Sequence, residues 1–347
     1  MRSVQILTVA VDDGDQRLDR WLRRMFPHLG QVQIEKLCRK GEFRVDGGRV
    51  KPATRLVAGQ QVRIPPLPRP GDKPEVYTSR VSAADARMIQ SCVIYRDDHI
   101  IALNKPPGLP VQGGSKQSRH VDGMAEALTF GMEEKPKLVH RLDKDTSGVL
   151  LLARTREAAR GLTAAFRHRA TRKIYWAAVA GVPNPRIGTI RYALVKAPGH
   201  GAKGEGEKMI CVHPRDVDAT PGAKTATTDY AVIEAAGGRT SWMALIPVTG
   251  RTHQLRAHMA EIGHPIIGDG KYGGSGQENL GDGWGAQLGG DISRKLHLHA
   301  RSLTIEHPVS RAILHITAPL PEHMQRTWDM FQWIPSEAPD DPLEDMA

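Results

Sequence analysis

KLVHRLDKDTSGVLLLA, Lys137 to Ala153, sets a charged cluster against a buried strand. Gly148 to Ala153 reads GVLLLA, a short apolar run that suits a strand covered on both faces, and it starts just past the turn-forming DTSG. Asp143 therefore sits at a strand edge. With Arg141 two residues before it, a carboxylate placed there is dry enough to react and has a cation at hand.

Three readings compete for the cluster. A run such as Arg141, Asp143, Lys144 and Asp145 is ordinarily a solvated turn with surface ion pairs. Asp143-Lys144-Asp145-Thr146 also fits the DxDxT of phosphatases with an aspartate nucleophile. That motif, however, ends an apolar strand, whereas here His140 and Arg141 interrupt the approach and the strong strand follows. Thirdly, HRLDxxTSG with four apolar residues and Ala after it resembles the active-site signature of the RluA-type pseudouridine synthases. That resemblance implies isomerisation of uridine in RNA, with Asp143 as nucleophile and Arg141 filling the position that the target base vacates.

With 347 residues, 40% of them hydrophobic, the chain can hold one large and one small soluble globular domain. Its formal net charge is +10, and residues 1 to 69 hold fourteen Lys or Arg against seven Asp or Glu, hence +7 of that total. A polyanion is the natural partner for that end. Cys38, Cys92 and Cys211 are far apart and form no CxxC pair, which disfavours disulfides and a Cys-based metal site and points to a reducing compartment. The start, MRSVQILTVAVDD, is too short an apolar segment for a signal peptide, and no run approaches the roughly 18 apolar residues of a membrane helix. Cytoplasmic localisation, with no membrane association, is the expectation.

In chain order, Gln5 to Val11 reads as a strand. Leu18, Trp21, Leu22, Met25 and Phe26 follow the spacing of an amphipathic helix ending before Pro27, and a second helix from Val32 to Lys40 stops at Gly41. FRVDGGRV is a hairpin turning at Asp46, Gly47 and Gly48. Basic residues populate the polar faces, among them Arg17, Arg20, Arg39, Lys40 and Arg44; so many cations on so small a unit favour RNA contact over plain solvation. The order of these elements resembles the S4 RNA-binding domain. Two departures are Gly30-Gln31, where the pattern favours a Ser cap, and Gln60, where it carries Asp.

Pro65 to Pro74, PPLPRPGDKP, is a stiff linker. Beyond it, VIYRDDHIIALNKPPGLPV reads as a strand pair and a turn, and resembles the family's KPxG scaffold element. A helix follows near Val121 to Thr129. Arg154 to Arg169 suits a basic helix leading into the strand Arg172 to Ala177; in the family's KxYxA element the residue matching Tyr175 lies against the target uracil, although a core aromatic is the ordinary reading. Residues 198 to 208 form a flexible loop. TATTDYAVIEAA and SWMALIPVTG are strands, and Thr252 can cap a helix carrying Leu255, Met259 and Ile262 and stopping at Gly263. His253 and His258 lie five apart without the Glu of HExxH, so no metal site is expected.

PVTGRTHQLRAH resembles the family's second strong signature, in which the last Arg, here Arg256, pairs with the nucleophilic Asp. Gly273 to Gly290, with eight glycines in eighteen residues, reads as a mobile insertion, and LHLHARSLTIEHP as a closing strand. After Phe331 come five acids and no base. The resulting expectation is an α+β protein. Residues 1–66 form a small S4-type α/β RNA-binding domain, 67–84 a linker, 85–330 a pseudouridine synthase domain on a mixed, largely antiparallel sheet, and 331–347 an acidic disordered tail. The resemblance is nearest to the members acting on large-subunit ribosomal RNA, the C type before the D type. It implies a monomer that needs no cofactor. A non-catalytic RNA-binding or ribosome-assembly factor is the alternative; a pure binder would have no need to bring Asp143, Tyr175 and Arg256 to one pocket.

Overall fold

A computed structural model describes residues 4–67, 81–113, 119–167, 171–198, 208–273 and 292–344. The chain separates into two compact units, residues 1–80 and 81–347. The expected loop at 198–208 and the glycine-rich insertion lie outside the described residues except at their ends, as do residues 68–80 of the linker.

In the first unit, β1 (Gln5–Thr8), α1 (Leu18–Met25), α2 (Gln31–Lys40), β2 (Arg44–Val45), β3 (Gly48–Arg49) and β4 (Gln61–Ile64) form two helices and a sheet of order β1-β4-β2-β3. Leu18, Trp21 and Leu22 of α1 pack with Ile34, Cys38, Phe43 and Val62, as the helical spacing requires. Met25 instead turns to solvent and Phe26 takes its place in the core. The opening strand is shorter than expected because the chain bends at Val11–Asp13, where Asp13 accepts the Trp21 indole N–H at 3.0 Å. The hairpin turns on Asp46 and Gly47 alone, both at positive φ, and Gly48 already pairs with Val45. At the two departures, Gly30 caps α2 without a side-chain bond, while the Gln60 amide oxygen accepts the Val57 N–H at 2.9 Å and braces its turn.

The second unit begins with α3 (Ala83–Ser91), capped by Ser82 through the Asp85 N–H. This helix starts inside the stretch read as linker. Then come β5 (Val93–Arg96), β6 (Ile100–Lys105), α4 (Val121–Met124), β7 (Lys137–Leu138), β8 (Ser147–Ala153), α5 (Arg156–Arg167), β9 (Thr171–Ala180), β10 (Ile187–Lys196) and β11 (Met209–Val212). The chain continues with β12 (Lys224–Ala236), β13 (Thr240–Pro247), α6 (Gln254–Glu261), β14 (Leu298–Glu306), β15 (Ile313–Thr317) and α7 (Glu322–Phe331). The strands make one sheet of order β11-β10-β12-β13-β9-β14-β8-β6-β5, with β15 on β14 and β7 on β8. Every pairing is antiparallel except β14 with β8, so the sheet is mixed and largely antiparallel as the sequence implied.

Strand β8 is buried along its whole length. Leu150 and Leu152 face α3 and α4, whereas Val149 and Leu151 face α5, the alternation a strand imposes. One row of register partners crosses the sheet: Leu245, Tyr175, Ala300, Gly148 and Lys105, from β13, β9, β14, β8 and β6. That row sets the level of the site.

The acidic tail does not conform to the disorder expected of it. Trp333 and Leu343 are buried in the cluster with Trp242 and Trp328, and Asp341 accepts two hydrogen bonds from Arg172, at 2.6 and 2.8 Å. Two apolar side chains and one paired carboxylate are enough to dock a segment whose composition alone reads as solvated.

Candidate active site

The row delivers its neighbours to one place. Gly148 starts β8, so the loop just before it, with Asp143, lies at the level of Tyr175; β13 ends two residues past Leu245 and feeds the turn into α6, which carries Arg256. Asp143, Tyr175, Arg256, Arg141, His140 and His253 line a cleft of about 660 Å³, in which Asp143 is the one carboxylate among the described lining residues. The Asp143 side chain is 26% exposed, enough to meet a ligand.

Behind Asp143 the loop is fixed by buried groups. Lys105 is wholly buried, and its ammonium donates to the carbonyls of Pro106, Leu109 and Lys144 at 2.9 to 3.0 Å. Burial pulls its pKa down to about 7 against the opposing charges of Asp145 and Asp143. On the other side the Ser147 hydroxyl meets His299 Nδ1 at 2.9 Å, and His140 Nε2 accepts the Leu151 N–H at 2.8 Å. Burial holds both imidazoles far below their usual range, at about 3. Burial, and after it the Asp143 charge, pushes the Tyr175 phenol upward.

Arg256 has a partner that sequence reasoning missed. Its Nε and Nη2 donate to Asp269 Oδ2 and Oδ1, both at 2.7 Å, while its Nη1 stands 3.7 Å from Asp143 Oδ2. The second distance is an ion pair beyond hydrogen-bond reach. The Tyr272 ring lies 5.2 Å from the guanidinium carbon. Burial opposes the Arg256 charge, but the Asp269 hydrogen bonds and the carboxylates together outweigh it and raise the pKa. His253 Nε2 is 3.9 Å from Asp143 Oδ2, and its Nδ1 meets the Tyr272 hydroxyl at 2.9 Å. Burial chiefly lowers the His253 pKa, against Asp143.

Thr252 does not cap α6. His253 occupies that position at φ 51° without a side-chain bond, and the Gln254 amide ties the helix start to the sheet, accepting from Thr249 and Arg251 and donating to Thr227 and Thr228. Every residue from Gln254 to Met259 is buried, so α6 is covered all round and not on one apolar side. His258 meets Thr228 at 2.9 Å and does not share a site with His253.

Arg17, Arg20, Arg39, Lys40 and Arg44 belong to the first unit and are exposed there. Arg17 grips Asp19 with two bonds, at 3.1 and 2.6 Å, Lys40 is 3.5 Å from Glu42, and Arg44 donates to the carbonyls of Gly41 and Gly47.

Residues 99–261 match the family profile of RNA pseudouridylate synthases, and residues 16–62 that of the S4 domain. The ribosomal large subunit pseudouridine synthase C of Vibrio cholerae is 34% identical over 325 residues, 93% of this chain and 95% of the relative. The chain belongs to the RNA pseudouridylate synthase family. The synthase is also 35% identical to the ribosomal large subunit pseudouridine synthase C of Escherichia coli K12, over 93% of this chain and 95% of that one. Among solved structures, the human RNA pseudouridylate synthase domain containing 4 superposes with a TM-score of 0.54 at 28% identity, covering 71% of this chain and 95% of its own. Asp269 lies beyond the matched span of the synthase profile; its only signal in the sequence is a lone acid between glycines in IIGDG.

Proposed function

We propose that this synthase converts specific uridines of large-subunit ribosomal RNA to pseudouridine, with Asp143 as the nucleophile. The observation that carries the reading is the convergence of Asp143, Arg256 and Tyr175 on one cleft that offers a single carboxylate among its described lining residues. A pure RNA binder has no use for such a centre, and a phosphatase requires a second acidic cluster beside the first. The choice of RNA follows from the relatives, which are named for the ribosomal large subunit.

The reaction breaks the C1′–N1 bond, turns the uracil, forms a C1′–C5 bond, releases the C5 proton and leaves a proton on N1. Uracil is both leaving group and returning nucleophile, so atoms and electrons balance without a redox partner. Asp143 supplies the covalent step, by adding to the base or attacking the sugar carbon. Arg256, held by Asp269, presents its remaining N–H side to that carboxylate. Tyr175 lies against the uracil and Arg141 enters the position the base leaves, compensating part of the few kcal/mol that unstacking costs. Basic residues of the first unit hold the phosphate backbone. One chain carries all these groups, which supports a monomer, and ribosomal RNA as substrate supports a cytoplasmic site of action.

Mapping pseudouridines in ribosomal RNA from cells with and without the protein tests the assignment. Specific sites should lose the modification and regain it from the wild-type gene but not from Asp143→Asn, since an amide is no nucleophile. In vitro, conversion of a short stem-loop should persist in excess chelator; activity lost in EDTA and restored by Mg²⁺ would revive the phosphatase reading. An Asp143→Asn protein that still forms pseudouridine would end the mechanism.

A further inference from the structure

Arg256 walls two cavities. Behind the catalytic cleft, a second cavity of about 620 Å³ is lined by Arg256, Lys208, Lys271, Arg294 and Lys295, against the single carboxylate of Asp145. Its volume falls in the range of about 300 to 1,000 Å³ usual for ligand sites, but this one is built for charge. Gly108, Gly268 and Gly270 line it as well. A Cβ at Gly108 or Gly270 would meet nothing within 4 Å, so these glycines leave backbone open to a ligand, while Gly268 lies so close to the Lys295 carbonyl that a Cβ there would stand 2.0 Å from it. The close approach fixes Lys295 and the neighbouring Arg294 to the rim. Lys208 lies 5.7 Å from the Tyr272 ring, the same ring that Arg256 faces, so this cation belongs to the wall the two cavities share. The DKD of the central stretch is divided accordingly: Asp143 lines the first cavity and Asp145 the second.

Five cations to one carboxylate call for an anion. We propose that the second cavity is a subsite for the phosphodiester flanking the target uridine, with Arg294, Lys295 and Lys208 as its donors, so that one guanidinium wall separates the reacting base from the backbone that holds it in register. The proposal rests on the assignment of RNA as substrate. Phosphate contacts of this kind set register without reading sequence, and a short linkage from base to backbone is met by two cavities that share Arg256. Asp145 limits the subsite to one phosphate by repelling a second.

The test pairs protein charge with RNA charge. A stem-loop substrate is made with a single methylphosphonate, which carries no charge, at the linkage on the 5′ or the 3′ side of the target uridine, and KM is measured for wild type and for Arg294→Gln/Lys295→Gln. At one of the two linkages the neutral RNA should raise the wild-type KM about tenfold. The variant should show that loss on ordinary RNA and gain no further loss from the methylphosphonate, and its log K against log salt slope should fall by about 1 per cation removed. Independent, multiplying losses at both linkages, or a variant indistinguishable from wild type, would overturn the subsite. A wild-type protein that forms no pseudouridine in the unmodified stem-loop would overturn the proposed function itself, a result distinct from either.

Discussion

Arg256 and Asp269 are joined by two parallel hydrogen bonds of 2.7 Å, in a setting where the arginine side chain is 7% exposed and the carboxylate 0%. The guanidinium is thereby aimed: two donors are spent on Asp269, and the Nη1 edge is left toward Asp143 at 3.7 Å. Asp269 is itself fixed, because its Oδ1 also accepts the N–H groups of Lys271 and Tyr272. A fork with two in-plane bonds defines orientation as well as charge, which a lysine in the same place would not do.

Removing the aiming group should therefore cost both stability and turnover. Asp269→Ala leaves a buried cation without its main partner, a loss of about 3 to 5 kcal/mol in such pairs. Unfolding should shift accordingly, and pseudouridine formation should collapse even at temperatures where the variant is folded. Arg256→Lys keeps a charge but loses the fork, and should remain folded yet slow. Full activity in a folded Asp269→Ala protein would show that Asp143 needs no aimed cation.

Arg256→Ala and Asp143→Asn should each abolish conversion while RNA affinity changes little. The double variant should be no slower than either single one, as residues acting as a unit behave. Single-turnover rates on a stem-loop decide the point: losses that multiply would mean that the two act in separate steps.

How much of this was legible beforehand follows from what local sequence can encode. The strand from Gly148 to Ala153 is a run of apolar residues, and that pattern depends only on neighbours, so its burial on both faces was readable. Asp143, Tyr175 and Arg256 came from motifs. The fork between Arg256 and Asp269 spans thirteen residues, and it depends on how the chain returns from α6 beneath Tyr272, which no periodicity reports. Lys105 reads as an exposed turn lysine beside two prolines, yet three carbonyls converge on it in the interior. The tail failed for the opposite reason. Its five acids dominate the composition, while Trp333 and Leu343 decide its placement.

Gly148 should tolerate no side chain. It sits at φ 105°, and a Cβ would stand 2.2 Å from the Ala300 carbonyl oxygen, backbone that the parallel β8–β14 pairing holds in place. Gly148→Ala must either push β14 away or distort the start of β8, and the row carrying Tyr175 moves with it. We expect a loss of several kcal/mol, larger than the ~1 kcal/mol typical of point changes, with activity falling further than stability. A thermal midpoint within a degree or two of wild type would contradict the close approach.

Acid should destabilise the fold through its histidines. Burial first, in each case, holds His140 and His299 at about 3 and His258 and His297 at about 4, against an ordinary 6.5. In the window from 6.5 down to about 3 the unfolded chain binds more protons than the folded one, so this stability is fully present above 6.5 and drains away as the pH falls. The urea midpoint should drop between pH 6.5 and 4, and less steeply in His297→Gln. A midpoint constant over that interval would show that these imidazoles are charged in the folded protein.

The basic face of the first unit should divide into two kinds of cation. Arg20 and Arg39 are exposed on α1 and α2, and Arg20→Gln or Arg39→Gln should lower the salt slope of RNA binding by about 1 with little effect on folding. Arg17 differs, since it grips Asp19, which is only 6% exposed, through two bonds. Arg17→Gln should then cost stability as well as affinity, because it leaves a largely buried carboxylate without its cation. Binding titrations from low to high salt, run beside thermal melts, separate the two. If neither Arg20→Gln nor Arg39→Gln alters the slope, the face is only a solvated surface and RNA capture must rest with the second unit.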